Sequence, residues 1–129
     1  MFGPPGAGKG TQADKIAKHF DLHKVSTGDL LRGRAQQDND FNKKIKSLID
    51  KGSFVSDEII TDLIVKILSD TQLNNRLIFD GYPRNLNQAK NLNLLLKKNN
   101  QKISSVISLN VEKNIIVKRI LGRETCTKC

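Results

Sequence analysis

The sequence has 129 residues, of which 37% are hydrophobic and 27% charged, and its formal net charge is +9. This length suits one ordinary domain, and the balance of apolar and charged residues excludes fibrous and intrinsically disordered classes. No apolar run approaches the roughly 20 residues of a membrane span, and residues 1–10 lack the regions of a secretory signal. We therefore expect a cytoplasmic protein whose positive surface attracts anions.

Helices and strands alternate after an opening glycine-rich loop. Helical periodicity predicts helices over 11–20, 30–35, 41–50, 87–98 and 113–121, and another that Ser56 caps and that ends near Leu68. Short apolar runs predict strands at 24–26, 77–79 and 105–109. This alternation predicts an α/β fold with a parallel sheet flanked by helices.

The first motif is a phosphate-binding loop. Residues 3–11 read G-P-P-G-A-G-K-G-T, which fits the spacing G-x-x-x-x-G-K. Glycines let successive backbone N–H groups turn inward, and the following helix offers the positive end of its dipole. Gly10 stands where a Ser or Thr is usual, so the pattern does not predict a direct threonine ligand to Mg²⁺. The residues expected to contact a polyphosphate are Gly6, Ala7, Gly8, Lys9, Gly10 and Thr11.

Two further motifs follow the loop, and together the three resemble the adenylate kinases. They are S-T-G-D-L-L-R at 26–32 and D-G-Y-P-R at 80–84 with Gln88-Ala89, and the match continues through Gly122-Arg123. The resemblance implies a sheet like that of the P-loop nucleoside triphosphate hydrolases. It also implies Mg²⁺-dependent transfer from ATP to AMP, which yields two ADP.

The resemblance further implies roles for individual residues. Residues 26–55 would form an AMP-binding helical segment. The residues implied around AMP are Thr27, Arg32, Ser53, Phe54, Val55, Gly81, Tyr82, Pro83, Arg84 and Gln88. Arg119 would lie against the ATP adenine and Arg123 would reach the transferred phosphate. The implied catalytic set is Lys9, Asp80, Arg84, Arg119 and Arg123.

Side-chain chemistry is compatible with these roles. A guanidinium group can hold a phosphoryl group by two charge-assisted hydrogen bonds, and Asp80, at the end of an apolar strand, can orient Mg²⁺-bound water. The Gln88 amide can read an adenine edge. Structural alternatives are surface ion pairs for the arginines, a turn or cap role for Asp80 and Thr27, and simple solvation for Gln88.

A pair of cysteines ends the chain, Cys126 and Cys129. Their C-x-x-C spacing suits two thiolates of a tetrahedral zinc site, which is half a site. The resemblance implies that residues 124–129 begin a zinc-stapled lid. We expect structural zinc only where the remaining lid ligands are present.

Three alternative functions remain open. They are a kinase for UMP or CMP, a nucleotide-binding protein without turnover, and a basic nucleic-acid binder. Gln88, rather than an asparagine that would suit a pyrimidine, favours AMP. One Tyr and no Trp give little aromatic surface for stacking on nucleic acid. We expect a monomer with small nucleotides as partners, and neither nucleic acid nor membrane.

Only Met1 and Phe2 precede Gly3, whereas a phosphate loop ordinarily follows a buried strand of about five residues. In the implied fold that strand lies between those at 77–80 and 105–109. Residues 1–129 would then form a partial nucleotide-kinase core without its central first strand and its C-terminal part. We expect this chain alone neither to fold robustly nor to catalyse turnover.

Overall fold

The computed structural model describes residues 1–35, 56–122 and 124, with the side chains of residues 32–35 outside that description. The helix predicted over 41–50 falls outside the described residues. The described elements are, in chain order, α1 (Lys9–Phe20), β1 (His23–Ser26), α2 (Thr27–Ala35), α3 (Asp57–Leu68), a 3₁₀ turn (Thr71–Leu73), β2 (Leu77–Asp80), α4 (Leu86–Lys98) and α5 (Lys113–Leu121). None of these helices is both long and apolar enough to cross a bilayer.

β1 and β2 form a parallel pair. His23 pairs with Leu77 at one end and Ser26 with Asp80 at the other. Since parallel strands need a crossover connection, the helices between them pack beside the sheet. The predicted α/β class with a parallel sheet is confirmed.

The first two residues join β2 to a segment much later in the chain. The Met1 amino group donates to the Phe79 carbonyl. The Phe2 N–H donates to the Ile107 carbonyl at 2.8 Å, and the Leu109 N–H donates to the Phe2 carbonyl at 2.9 Å. The prediction of a strand over 105–109 is therefore wrong in its length. Within the described residues it is a single parallel bridge from Phe2 to Ser108, because only Phe2 lies beside it with backbone groups to pair.

The larger core cluster lies between the sheet and helices α3 and α4. Ile64 and Leu92 are fully buried there against Val25 of β1. Tyr82 is 1% exposed, and its hydroxyl has no hydrogen-bond partner in the part of the chain that the structure describes. Burial raises the pKa of Tyr82 above its usual value. This cluster holds the starts of α3 and α4 close to the ends of the strands.

Helix starts differ in detail from the prediction. α1 begins at Lys9, two residues early, because Gly8 takes a left-handed conformation at its N-cap. Ser56 occupies the N-cap position of α3, as predicted. Its side chain makes no cap hydrogen bond among the described residues, so the predicted capping by this side chain is wrong. Asp57 and Glu58 do lie in the first turn, where negative charge complements the helix dipole.

A cleft of about 520 Å³ separates β2 from residues 102–107. Leu77 and Phe79 line one side of it, and Ile103 and Ile107 the other. Val106, which lines the cleft, is 68% exposed.

We predict that the 129-residue chain melts over a broad temperature range. Deleting one large core side chain costs about 2–5 kcal/mol against a total stability of about 5–15 kcal/mol, and this cleft is far larger than one side chain. Scanning calorimetry should give calorimetric and van't Hoff enthalpies that disagree. A sharp two-state transition with equal enthalpies would contradict this prediction.

Candidate functional site

The loop before α1 has the backbone of a phosphate cradle. Gly3, Gly6 and Gly8 have φ angles of 146°, 78° and 91°, in the region that side chains disfavour. The first backbone N–H groups of α1 have no partner within the helix. They therefore offer donors at the positive end of the helix dipole.

Lys9 lies over this loop. Its Nζ donates to the carbonyl of Gly3 at 2.8 Å and to that of Pro4 at 3.0 Å. The loop thus holds the ammonium group on its concave side. The role of Lys9 as a charge for the outer phosphates stays a prediction.

Asp80 ends β2 beside the start of α1. A Cβ atom added at Gly10 would lie 3.6 Å from Asp80 Oδ2, so this carboxylate is next to the phosphate loop. Asp80 is half-buried. A carboxylate in this position suits a hard cation, because Mg²⁺ prefers oxygen ligands.

Thr27 and Arg84 meet at the carboxyl ends of the two strands. Arg84 Nη2 donates to Thr27 Oγ1 at 3.2 Å, and Arg84 Nε donates to the Gly81 carbonyl at 2.8 Å. Thr27 Oγ1 also lies 3.5 Å from that carbonyl. The structure therefore brings together three residues that the sequence predicts around AMP.

A second cleft, of about 470 Å³, joins the phosphate loop to residues 81–84. Lys9 lines it from one side and Arg84 from the other, with Gly3 and Gly81 between them. Two cations facing one concave space create a positive potential there. The geometry suits a polyanion of small size. Tyr82 does not line this cleft, although its neighbours Gly81 and Pro83 do.

Gln88 is buried at 3% exposure, and each end of its side-chain amide makes one hydrogen bond. Its Oε1 accepts from the Arg84 backbone N–H at 2.7 Å, and its Nε2 donates to Asp57 Oδ1 at 2.6 Å. Asn85 Nδ2 donates to Asp57 Oδ2 at 3.1 Å. The alternative of a solvated Gln88 is wrong, because the core closes over it.

Asp57 and Asn85 are site-adjacent residues that the sequence analysis did not single out. Asn85 caps α4, since its Oδ1 accepts from the Gln88 N–H at 2.8 Å. The signal was present, because an asparagine followed three places later by a glutamine is a capping-box pattern. No comparable signal marks Asp57, which lies 31 residues before Gln88.

Hydrogen bonds from Gln88 and then from Asn85 hold the pKa of Asp57 below its usual value. A lowered pKa means that folding favours the carboxylate form. The stabilisation is present above the unfolded-state pKa and is lost as the pH falls through the folded-state pKa.

Arg119 reaches the loop from α5. Its Nη1 donates to the Gly6 carbonyl at 3.2 Å and lies 3.5 Å from the Ala7 carbonyl. The contact spans 113 positions in sequence. It puts a third cation beside the loop.

Several predicted site residues lie outside the described residues. They are Ser53, Phe54, Val55, Arg123, Cys126 and Cys129, together with the side chain of Arg32, whose backbone lies in α2. Within residues 1–35, 56–122 and 124, no group of three or more His, Cys, Asp or Glu side chains is placed to hold a metal ion. The zinc prediction for the cysteine pair is therefore not tested.

We predict that Gly3→Ala disturbs the anchor of the loop. An added Cβ would lie 2.9 Å from the Leu109 carbonyl at a φ of 146°, and strain of this kind costs on the order of 1–3 kcal/mol. The Leu109 amide, which bonds to Phe2, should then exchange its hydrogen roughly 10–100-fold faster.

Gly10→Ala is the matched control for this loop substitution. Its added Cβ would make only an ordinary contact, 3.6 Å from Asp80 Oδ2. Exchange at Leu109 should be unchanged. Equal exchange rates of the Leu109 amide in both variants would contradict the prediction that Gly3 needs its positive φ angle.

Known proteins of similar sequence identify the family of this chain. A sequence model of the family described as adenylate kinase matches residues 1–127. An adenylate kinase from Pelagibacter ubique is 51% identical over 129 residues, which are 100% of this chain and 61% of that relative. Another from Archaeoglobus fulgidus is 41% identical over 100% of this chain and 59% of its own length.

A third relative, the adenylate kinase of Erythrobacter litoralis, is 41% identical over 100% of this chain and 60% of its own length. The chain thus spans about 60% of the curated relatives that it matches. The family match covers nearly every residue, including the phosphate loop and the 80–84 motif. The chain belongs to the adenylate kinase family.

Proposed function

We propose that a complete protein containing this segment transfers a phosphoryl group from ATP to AMP and releases two ADP. The observation that carries the proposal is the cleft between the phosphate loop and residues 81–84, into which Lys9 and Arg84 bring two cations. The chain spans about 60% of its curated relatives. The activity is therefore assigned to the complete protein.

The reaction requires alignment and charge neutralisation. A phosphate oxygen of AMP forms a bond to the γ-phosphorus of ATP, and the bond from that phosphorus to the β,γ-bridging oxygen breaks. The electron pair of the broken bond leaves with ADP. Because the transition state is loose and highly charged, positioned cations contribute more than a covalent nucleophile.

Each cation has a proposed place in this scheme. Lys9 neutralises the outer phosphates of ATP, and Arg84 holds the AMP phosphate from the opposite side of the cleft. Arg119 stacks against the ATP adenine next to the loop. Arg32 and Arg123 complete the proposed set, with Ser53, Phe54 and Val55 beside the AMP base.

Mg²⁺ is the metal that we assign to this site. Asp80 would hold it through water, since its carboxylate lies beside Gly10 at the start of α1. When bound, the ion neutralises charge on the bridging phosphates. Asp80 itself would orient the water shell of the ion.

Selection of AMP rests on Thr27 and Gln88. Both are buried, Thr27 directly after β1 and Gln88 in the first turn of α4, and a site built to hydrogen-bond one base rejects bases that leave those groups unpaired. This argument favours AMP over UMP and CMP. We also propose a cytoplasmic monomer with nucleotide partners. A steep salt dependence of oligonucleotide binding would instead favour the nucleic-acid alternative.

The test uses a chimera in which these 129 residues replace the matching segment of the Pelagibacter ubique relative, here called the completed chimera. It should phosphorylate AMP far better than UMP or CMP. Lys9→Ala should lower kcat on the order of 10²–10³-fold, because solvent cannot replace a preorganised charge.

Lys15→Ala is the matched control, because it removes the same charge from an exposed position of the same helix. It should keep the activity of the unmodified chimera. Near-normal turnover by Lys9→Ala would contradict the role of the loop, and equal use of all three monophosphates would contradict the AMP assignment. The 129-residue chain alone should form no ATP and AMP from ADP.

We further propose that Cys126 and Cys129 supply two of four ligands to a structural zinc ion. Two thiolates leave half of a tetrahedral coordination sphere to water, so the 129-residue chain should bind zinc weakly. Elemental analysis of a complete protein that contains this segment should give one zinc per chain. Its absence after purification without chelator would leave the pair as ordinary thiols.

A further inference from the structure

The Gln88 amide has two hydrogen-bond partners, one that can only accept and one that can only donate. The Asp57 carboxylate can only accept a hydrogen bond, and it faces Nε2 at 2.6 Å. The Arg84 backbone N–H can only donate, and it faces Oε1 at 2.7 Å. If the amide turned over, an oxygen would face a carboxylate and an NH₂ group would face an N–H. One orientation of Gln88 is therefore strongly preferred.

Asp57 is itself held in place. Asn85 Nδ2 donates to its second oxygen at 3.1 Å, and Asn85 Oδ1 accepts from the Gln88 backbone N–H at 2.8 Å. The first residue of α3 is thus tied to the start of α4 by two hydrogen bonds, and a third bond holds Asn85 to Gln88 within the start of α4. Through these bonds Asp57 holds the side chains of Gln88 and Asn85, in addition to placing a negative charge at the start of α3.

We propose that Asp57 is a positioning residue for base selection, because it fixes the polarity with which Gln88 meets the acceptor base. This inference rests on the proposed function. Asp57 itself touches no substrate in this scheme. Together with the Arg84 backbone N–H, it disfavours the flipped arrangement of donor and acceptor on Gln88.

The chemistry of the purine edge makes this polarity selective. After its internal bonds, Gln88 keeps one N–H donor and one Oε1 lone pair. Adenine presents a complementary pair, the N1 acceptor and the 6-amino donor. Hypoxanthine has nearly the same shape but presents the reverse, an N1–H donor and an O6 acceptor. A fixed Gln88 should therefore accept AMP and reject IMP.

The test compares AMP and IMP as acceptors in the completed chimera. The unmodified chimera should prefer AMP by roughly 10⁴-fold in kcat/KM. Asp57→Asn should narrow this ratio by about 10–100-fold, because an amide at position 57 can face either orientation of Gln88. Most of the change should appear in the KM values for the two acceptors, with kcat for AMP much less affected.

Two further variants separate positioning from a structural role. Asp57→Glu keeps a group that only accepts, so it should preserve more of the AMP preference than Asp57→Asn. Glu58→Gln removes the same charge from the same helix turn, and among the described residues Gln88 donates no hydrogen bond to Glu58. Its AMP to IMP ratio should equal that of the unmodified chimera. A purely electrostatic role at the helix start would instead make Glu58→Gln and Asp57→Asn alike.

The outcomes are distinguishable. If no monophosphate is phosphorylated by the unmodified chimera, the proposed function fails. If AMP is strongly preferred and Asp57→Asn leaves the ratio unchanged, the proposed function stands and the role of Asp57 is overturned. Equal use of AMP and IMP by the unmodified chimera would also overturn it. Should Asp57→Asn not fold, Asp57→Ser gives the same reading, since a hydroxyl also both donates and accepts.

Discussion

The register of β1 against β2 is the constraint on which the candidate site depends. Ser26 lies beside Asp80 at the carboxyl ends of the strands, so the residues that follow each strand emerge together. Thr27 and Arg84 can then share a hydrogen bond of 3.2 Å across 57 positions of sequence. A shift of one residue would turn Val25 out of the core and separate these groups.

The phosphate loop is joined to this frame by very few backbone bonds. Met1 contacts β2, and Phe2 contacts the segment at 107–109. These bonds set the direction in which the loop leaves the sheet, and Arg119 bonds to the same loop from α5. Because an open cleft lies beside β2, few backbone contacts hold the loop against the sheet. The candidate phosphate loop therefore lies next to this gap in the core.

Charge and burial divide the site into two halves with different chemistry. The half that contains Lys9 is open to solvent on one side and depends on net positive potential. The half that contains Gln88 and Thr27 is buried and depends on pairing of individual donors and acceptors. Arg84 belongs to both halves, since its side chain lines the cleft and its backbone N–H fixes Gln88. Arg84 therefore contacts both halves of the candidate site.

The sequence alone determined the local features: α5 over Lys113–Leu121, the acidic first turn of α3, the apolar strand ending at Asp80, and the glycine spacing around Lys9. These depend on neighbouring residues, through periodicity, helix dipoles and backbone freedom. Only the tertiary structure decided that residues 105–109 form a single bridge and that Gln88 is bound by Asp57. Strand pairing needs a partner from elsewhere in the chain, and a hydrogen bond across 31 positions depends on how α3 and α4 pack, which no local pattern encodes.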